Sequence, residues 1–464
     1  MSANTVSYRT HLAVSAAEAF RWHARLGALE RLTPPWEPVQ VLERTGDGIT
    51  DGARVTLAIR LGPLRWCWVS EHCGYRQDEE FCDVQIAGPF ARWEHTHRFV
   101  PDSASACDLE DCITYALPLG VVAQRCAGAL VRRKLDRLFA YRHRITHHDL
   151  AAHRTYREAK PLHVLVTGAS GRVGSALVPF LTTGGHRVSR LVRSTPHPGQ
   201  GEIPWYPETG SIATPALEGV DAVVHLAGEN IATGRWTAEK KAKIRASRVQ
   251  GTRLLCEALA QLVHPPRVLV SASAIGYYGD RGAEGLHEAS RPGTGFLAEV
   301  CQAWETATAP AVERGIRVVH LRFGVVLSPA GGALAQMLVP FKLGAGGVIG
   351  SGQQYMSWIA LDDAIGAILH ALMTPSVQGP VNAVAPQSLT NREFTTVLGR
   401  VLGRPTLLSL PVLAARFALG EMAEALLLAS TRVEPRRLID TGYAFRYPDL
   451  ESALRHLLGK SHAA

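Results

Sequence analysis

The residues best suited to chemistry lie in "HVLVTGASGRVGSALVPFL", where an apolar run from Val164 to Thr167 meets Gly168, Gly171 and Gly174. A helical pattern follows to about Leu181. The glycines have separate roles, since the first makes a tight turn, the second lets backbone approach a pyrophosphate, and the third lets helix and strand pack closely. Phosphate oxygens would then face a helix N-terminus, whose unpaired N–H groups and macrodipole favour anions. Gly168, Ser170, Gly171, Arg172, Val173 and Gly174 are therefore the expected dinucleotide cradle. The next strand, about His186 to Val192, ends in Arg193 and Ser194. An acidic residue there would hold a ribose 2′-hydroxyl, whereas an arginine pairs with a 2′-phosphate, so Arg193 points to NADP rather than NAD. The bland alternative is a solvated arginine at a strand end. A third apolar strand, "VDAVVHLAGENI", ends at Leu226, Ala227 and Gly228, where backbone is expected to lie against the cofactor.

The elements that must position these residues occupy only part of the chain. A length of 464 residues exceeds one ordinary core and predicts several domains. We expect residues 1–157, 162–405 and 406–460 to form three. From Val6 to Pro118 the pattern is a run of short strands: "YRTHLAV", "VQVLERT", "ARVTLAIRLG", "RWCWVSEHCGY", "FCDVQIAG", "ARWEHTHRFV" and "CDLEDCITYAL". The insert "SAAEAFRWHARLGALERL" is helical, with Ser15 and Glu18 in a capping-box pattern, and stops at "TPPW". A long amphipathic helix runs from Val121 to Arg157, with Leu130, Leu135, Leu138 and Phe139 as candidate core positions. This order resembles the START-like, helix-grip superfamily that includes polyketide cyclases and lipid-transfer domains. The resemblance implies an interior suited to a hydrophobic ligand, with Trp22, Trp66, Trp68 and Trp93 as liners or simply as core.

Charge and cysteine content narrow the classes. The net charge is +8, and residues 132–160 hold nine Lys/Arg against three Asp/Glu, a difference of +6 along one helical tail. No base-reading motif accompanies it, so a solvated helix face is expected and no nucleic-acid partner. The N-terminus lacks an apolar export core, which argues for a cytoplasmic protein. "LSLPVLAARFALGEMAEALLLAS" carries Pro411, Arg416, Glu421 and Glu424, too interrupted for a membrane span, and reads as a packed amphipathic helix. The eight cysteines make no CxxC pair and suggest reduced thiols, with no metal. His143, His147 and His148 are expected on the surface.

"TGASGRVG", "HLAG", "SASAIGYYGD", "FLAEVCQAWE", "LRFGVVLSPAGGAL" and "MSWIALDD" occur in the order found in the NAD-dependent epimerase/dehydratase branch of the extended short-chain dehydrogenases/reductases. Residues 162 to about 405 resemble that family, and 410–458 resemble its accompanying C-terminal domain. The implied fold is α/β, a Rossmann-type doubly wound parallel sheet with a small C-terminal substrate region, preceded by the α+β helix-grip domain. Family members use a serine, an asparagine, and a tyrosine and lysine on one helix for proton transfer. Here Ser273 fits the serine, but Arg248 stands at the asparagine, Leu297 at the tyrosine and Cys301 at the lysine. Leucine cannot move a proton. Cys301 could, if Arg248 depressed its pKa, or it could pack as a small hydrophobe. Tyr277 or Tyr278 could supply a phenol instead. Asp362 and Asp363 read as helix N-caps. The Gly-rich run around Lys342 and Gln353 is either a mobile substrate cover or a surface hairpin. Two functions from different classes stay open: an NADP-binding oxidoreductase or epimerase-like enzyme acting on an unknown small molecule, or a non-catalytic NADPH-binding regulator of the cell-division type. A third gives the N-terminal domain the main role, as hydrophobic-ligand carrier or cyclase. Sequence sets no oligomeric state.

Overall fold

Alternation organises the N-terminal part of this computed structural model, which describes residues 3–61, 64–118, 121–197, 199 and 201–460. The strands β1 (Asn4–Leu12), β2 (Gln40–Thr45), β3 (Arg54–Leu61), β4 (Leu64–Arg76), β5 (Glu80–Ala87), β6 (Arg92–Ser103) and β7 (Ala106–Ala116) form one antiparallel sheet. Its spatial order is β1-β7-β6-β5-β4-β3-β2. Every strand anticipated from the alternating pattern is present. The helices α1 (Ala16–Ala24) and α2 (Ala28–Leu32) follow β1, and α3 (Val121–Arg154) closes the unit. Ser15 caps α1 by accepting from Glu18 N–H at 3.3 Å.

On β7 every second residue is buried, Cys107, Leu109, Asp111, Ile113 and Tyr115. On β6 the inward set is Trp93, His95, His97 and Phe99. Period-two burial is what a half-buried strand requires. Three of these nine inward side chains, His95, His97 and Asp111, are polar, which an apolar sheet interior would not call for. Leu135 and Phe139 of α3 are buried, and Phe139 stacks on Tyr8 with ring centres 4.7 Å apart. Leu130 is a correction: it is 57% exposed, because the first half of α3 presents that side to solvent. Trp66 is another, being 40% exposed although it shares a face of β4 with Trp68, which packs on Trp93, while Trp22 and Trp93 are core. A pocket of about 390 Å³ opens between Leu12, Val14 and the late turns of α3, at Leu150 and Arg154.

The second unit begins near Ala159. Its strands β8 (His163–Thr167), β9 (Arg187–Val192), β10 (Glu202–Tyr206), β11 (Ser211–Ile212), β12 (Ala222–His225) and β13 (Val268–Ala274) join the strands Arg317–Phe323 and Gly379–Ala383. The order is β11-β10-β9-β8-β12-β13, then Arg317–Phe323 and Gly379–Ala383. All neighbours are parallel except β10 and β11. Helices α4 (Arg172–Thr183), α5 (Ala238–Ala260) and α6 (Phe296–Thr306) connect them, giving the Rossmann-type doubly wound sheet. β8, β12 and β13 carry near-continuous buried apolar residues, as strands covered on both faces must.

Two late segments differ from the sequence expectation. Residues 408–430 do not form one packed helix: a helix Val412–Leu419 stops at Gly420, whose φ of +60° breaks it, and Leu413 and Phe417 are exposed. The Gly-rich run is neither hairpin nor loop at its start but a helix, Gly332–Lys342. No described helix is long and apolar enough to cross a membrane.

Candidate functional site

The strand order reverses direction between β8 and β12, and the glycine-rich turn sits at the carboxyl end of that crevice. Gly168 has φ +66°, and a Cβ there would lie 2.8 Å from the Leu226 carbonyl carbon. A Cβ on Gly174 would meet Gly168 O at 2.3 Å and Ala169 Cα at 2.7 Å. These two glycines therefore fix strand, turn and helix against one another. Ser170, Gly171 and Arg172 are exposed at the first turn of α4, leaving their side of the helix terminus open to an anion. Val173 is half-buried behind them. Arg193 is exposed just past β9, and the Arg172 guanidinium lies over Gly331. A cradle that only glycine can form, beside two exposed arginines, fits a phosphorylated dinucleotide.

Behind the cradle is a network that sequence reasoning missed. Thr167 Oγ1 accepts from the N–H groups of Leu226 and Ala227 at 3.1 and 3.2 Å. Its own proton must then go to His225 Nδ1, 2.8 Å away. His225 Nε2 consequently carries the ring proton and donates to Thr252 Oγ1 at 2.9 Å, which also accepts from Trp304 Nε1 at 2.9 Å. Burial pushes His225 down to about 4, so the ring is neutral as this chain of bonds requires. The network ties β8, β12, α5 and α6 together beneath Leu226 and Ala227. Only the "HLAG" histidine could have signalled it, since Thr252 and Trp304 are distant in sequence.

The expected reaction centre is built differently from the sequence expectation. Cys301 is buried on α6, and burial pushes its thiol up to about 12, with Glu305 adding to the rise and Arg248 only partly opposing it. It is a packed thiol, as is consistent with a Cβ on Gly276 lying 3.8 Å from its Sγ. Arg248 directs its charge at carbonyls: Nη1 donates to Glu229 O at 3.0 Å and Ile244 O at 3.3 Å, with the guanidinium 5.0 Å above the Trp304 ring. A Cβ on Gly228 would stand 3.3 Å from its Cζ, so Arg248 braces the loop that follows β12. Ser273 is buried and donates to Glu305 Oε1 at 2.7 Å. Glu305 in turn holds Arg322 bidentately, both contacts 2.8 Å.

Arg322 completes the arrangement. Its Nη1 donates to Tyr278 Oη at 3.0 Å, and that hydroxyl donates to Asn382 Oδ1 at 2.7 Å. Tyr278 is fully buried and structural. Tyr277 is half-buried, with Arg322 only 3.5 Å from its ring centre, and no described residue receives its hydroxyl. Of the two tyrosines it is the one with a free phenol. Asp362 and Asp363 are not N-caps, because the helix Leu361–Met373 is preceded by Ala360 and both carboxylates turn inward. Asp363 accepts from the N–H groups of Arg446 and Tyr447 at 2.7 and 3.0 Å, anchoring the C-terminal segment.

These features define an extended short-chain dehydrogenase/reductase-type protein with a dinucleotide cradle and an altered acid/base set. Residues 164–384 match the NAD dependent epimerase/dehydratase family, 12–139 match polyketide cyclase/dehydrase and lipid transport proteins, and 410–457 match a domain of unknown function. An epimerase family protein of Mycobacterium tuberculosis is 45% identical over 291 residues, 63% of this chain and 96% of its own length. Human epimerase family protein SDR39U1, whose crystal structure contains NADPH, shares 36% identity over 64% of this chain and 99% of that one, with a TM-score of 0.60. A Corynebacterium glutamicum structure described as a nucleoside-diphosphate sugar epimerase covers 98% of this chain and 90% of its own at 34% identity and a TM-score of 0.81. The chain belongs to the NAD dependent epimerase/dehydratase family.

Proposed function

We propose that the chain is an NADP(H)-binding oxidoreductase or epimerase acting on a small molecule, with Tyr277 supplying the proton that α6 cannot. The observation that carries this reading is the open glycine cradle flanked by exposed Arg172 and Arg193. The NADPH in the human relative supports the same cofactor. The backbone N–H groups of Ser170 and Arg172 hold the pyrophosphate, with that of Gly171 closing the turn onto Gly168 O at 2.9 Å, Arg193 pairs with the 2′-phosphate, and the loop Leu226–Gly228, fixed by Thr167 and Arg248, borders the bound dinucleotide. Hydride transfer is what the cofactor supplies when bound. Tyr277 is positioned by Arg322 against its ring, leaving its hydroxyl to serve a substrate oxygen.

Fluorescence titration of the purified full chain tests the cofactor: NADPH binds more tightly than NADH, and Arg193→Ala weakens NADPH about tenfold, ~1.4 kcal/mol, leaving NADH unchanged. Equal affinity for both cofactors in the native chain would remove the NADP assignment. A panel of carbonyls and sugar nucleotides then tests catalysis, where Tyr277→Phe lowers kcat by about a hundredfold or more with little change in KM.

A second reading, the non-catalytic NADPH-binding regulator, is favoured by Ser273 being committed to Glu305 and by the protonated Cys301. It is selected by tight NADPH binding without turnover on that panel, unaffected by either Tyr277→Phe or Cys301→Ala.

A further inference from the structure

The polar residues inside the N-terminal sheet have a geometry that the function above does not use. Asp83 on β5 pairs across the sheet with His95 on β6, and His97 pairs with Asp111 on β7. His95 and His97 are two residues apart on one strand, so both rings enter the same interior face. Asp83 Oδ1 lies 3.2 Å from His95 Nδ1 and 3.7 Å from His97 Nε2. One ligand atom from each of the three residues falls within 4.8 Å of the others. A tetrahedral ion with bonds of about 2.0–2.1 Å places its ligands roughly 3.3 Å apart, close to the spacing found here.

The opposite nitrogens of the two rings meet a second carboxylate. Asp111 Oδ1 is 2.8 Å from His95 Nε2 and 2.7 Å from His97 Nδ1, and Asp111 Oδ2 accepts from His143 Nε2 at 2.6 Å. A carboxylate hydrogen-bonded behind a ligating imidazole, as Asp111 is behind His95, fixes its tautomer and orientation, the usual outer arrangement of a metal centre, while His97 Nδ1 lies near the same oxygen but out of line for a hydrogen bond. His143 is thereby a correction as well, since α3 turns it inward to Asp111. Phe81 stacks on His97 at 4.3 Å and Phe139 lies edge-on to His95 at 5.2 Å, giving the cluster an apolar wall.

Among the described residues neither Asp83 nor Asp111 has a Lys or Arg ion-pair partner within 4 Å: part-buried Asp83 meets His95, His97 and the Trp93 Nε1–H, 3.3 Å from its Oδ2, and buried Asp111 meets three imidazoles. A divalent cation balances both.

We propose that the N-terminal unit binds one first-row divalent transition-metal ion, of the zinc or iron(II) class, through Asp83 Oδ1, His95 Nδ1 and His97 Nε2. Asp111 is the outer-sphere carboxylate and His143 supports it. Three protein ligands leave a coordination position for water or a ligand oxygen. Neither the cysteine spacing nor the histidines of α3 signal such a site in the sequence, because its ligands come from β5 and β6 and meet only through the sheet register.

The test uses the untagged full chain, stripped with chelator, incubated with excess Zn²⁺, desalted and analysed by elemental mass spectrometry. About one zinc per chain is expected, falling to background in His95→Gln and in Asp83→Asn but retained in His147→Gln, an exposed control. Circular dichroism checks that the variants fold. Should either variant misfold, native protein loaded with Co²⁺ still decides the question, because bound cobalt in a site with nitrogen ligands gives a ligand-field absorption band displaced by Zn²⁺. Native chain that retains no zinc and gives no such band overturns the site. So does zinc uptake unchanged in a folded His95→Gln.

Discussion

His225 shows how one neutral ring can hold the proposed cofactor cradle together. Its Nδ1 must accept from Thr167 and its Nε2 must donate to Thr252, so a second ring proton would break the first bond and bury a charge. Above pH 6.5 neither folded nor unfolded chain protonates this residue. As pH falls, the unfolded chain takes up the proton first, and stability drains away until the folded pKa of about 4 is reached. The full difference corresponds to about 3 kcal/mol. His23 and His370, also lowered by burial, act in the same direction, so the comparison must be with a variant. His225→Gln can still accept and donate but does not titrate; its urea midpoint should fall less than the native one between pH 7 and pH 4.5. Equal losses would remove His225 from the acid response. Cys301 teaches the complementary lesson. Its neighbour Arg248 was visible in the sequence, but the burial that outweighs that neighbour depends on packing around α6.

At the scale of elements, the turn between β8 and α4 separates folding from binding. Gly174→Ala would drive a Cβ to 2.3 Å from the Gly168 carbonyl oxygen, and since both groups are backbone the strand–helix contact must open. Gly171→Ala meets the same oxygen at 3.1 Å, a milder approach, and adds its methyl on the exposed side where a pyrophosphate must come close. Gly174→Ala should therefore lower stability by about 1–3 kcal/mol or prevent folding of the second unit. Gly171→Ala should keep its melting temperature within a few degrees yet lose most NADPH affinity. Calorimetry and fluorescence titration on the pair check this, and a reversed pattern would place the pyrophosphate elsewhere. The glycine spacing and the seven alternating strands were readable because local geometry dictates them. Ser273 is readable as a strand residue but not as a partner of Glu305, and nothing in the local sequence marks Arg322. Their meeting requires β13, α6 and the strand Arg317–Phe323 to be side by side.

Over the whole molecule the same division holds between what is local and what is not. The His95-Thr96-His97 alternation is plain in "ARWEHTHRFV", but its company of Asp83 and Asp111 follows only from the register of β5 and β7. Likewise the two aspartates in the first turn of the helix Leu361–Met373 read as caps in the sequence because their partners lie some eighty to ninety residues later. Each of the two units has its own apolar core, one around Phe20, Trp22, Phe81 and Phe99 and the other around Leu165, Val223, Leu255 and Leu269. Separate cores permit separate unfolding transitions. The cradle belongs to the second unit and the Asp83–His95–His97 cluster to the first, so each ligand should stabilise its own unit by mass action, about 2.7 kcal/mol at a hundred times Kd. Scanning calorimetry of the full chain should show two transitions, with NADPH raising only the one that Gly174→Ala lowers, and Zn²⁺ raising only the other. A single transition moved by both ligands would show that the units unfold together.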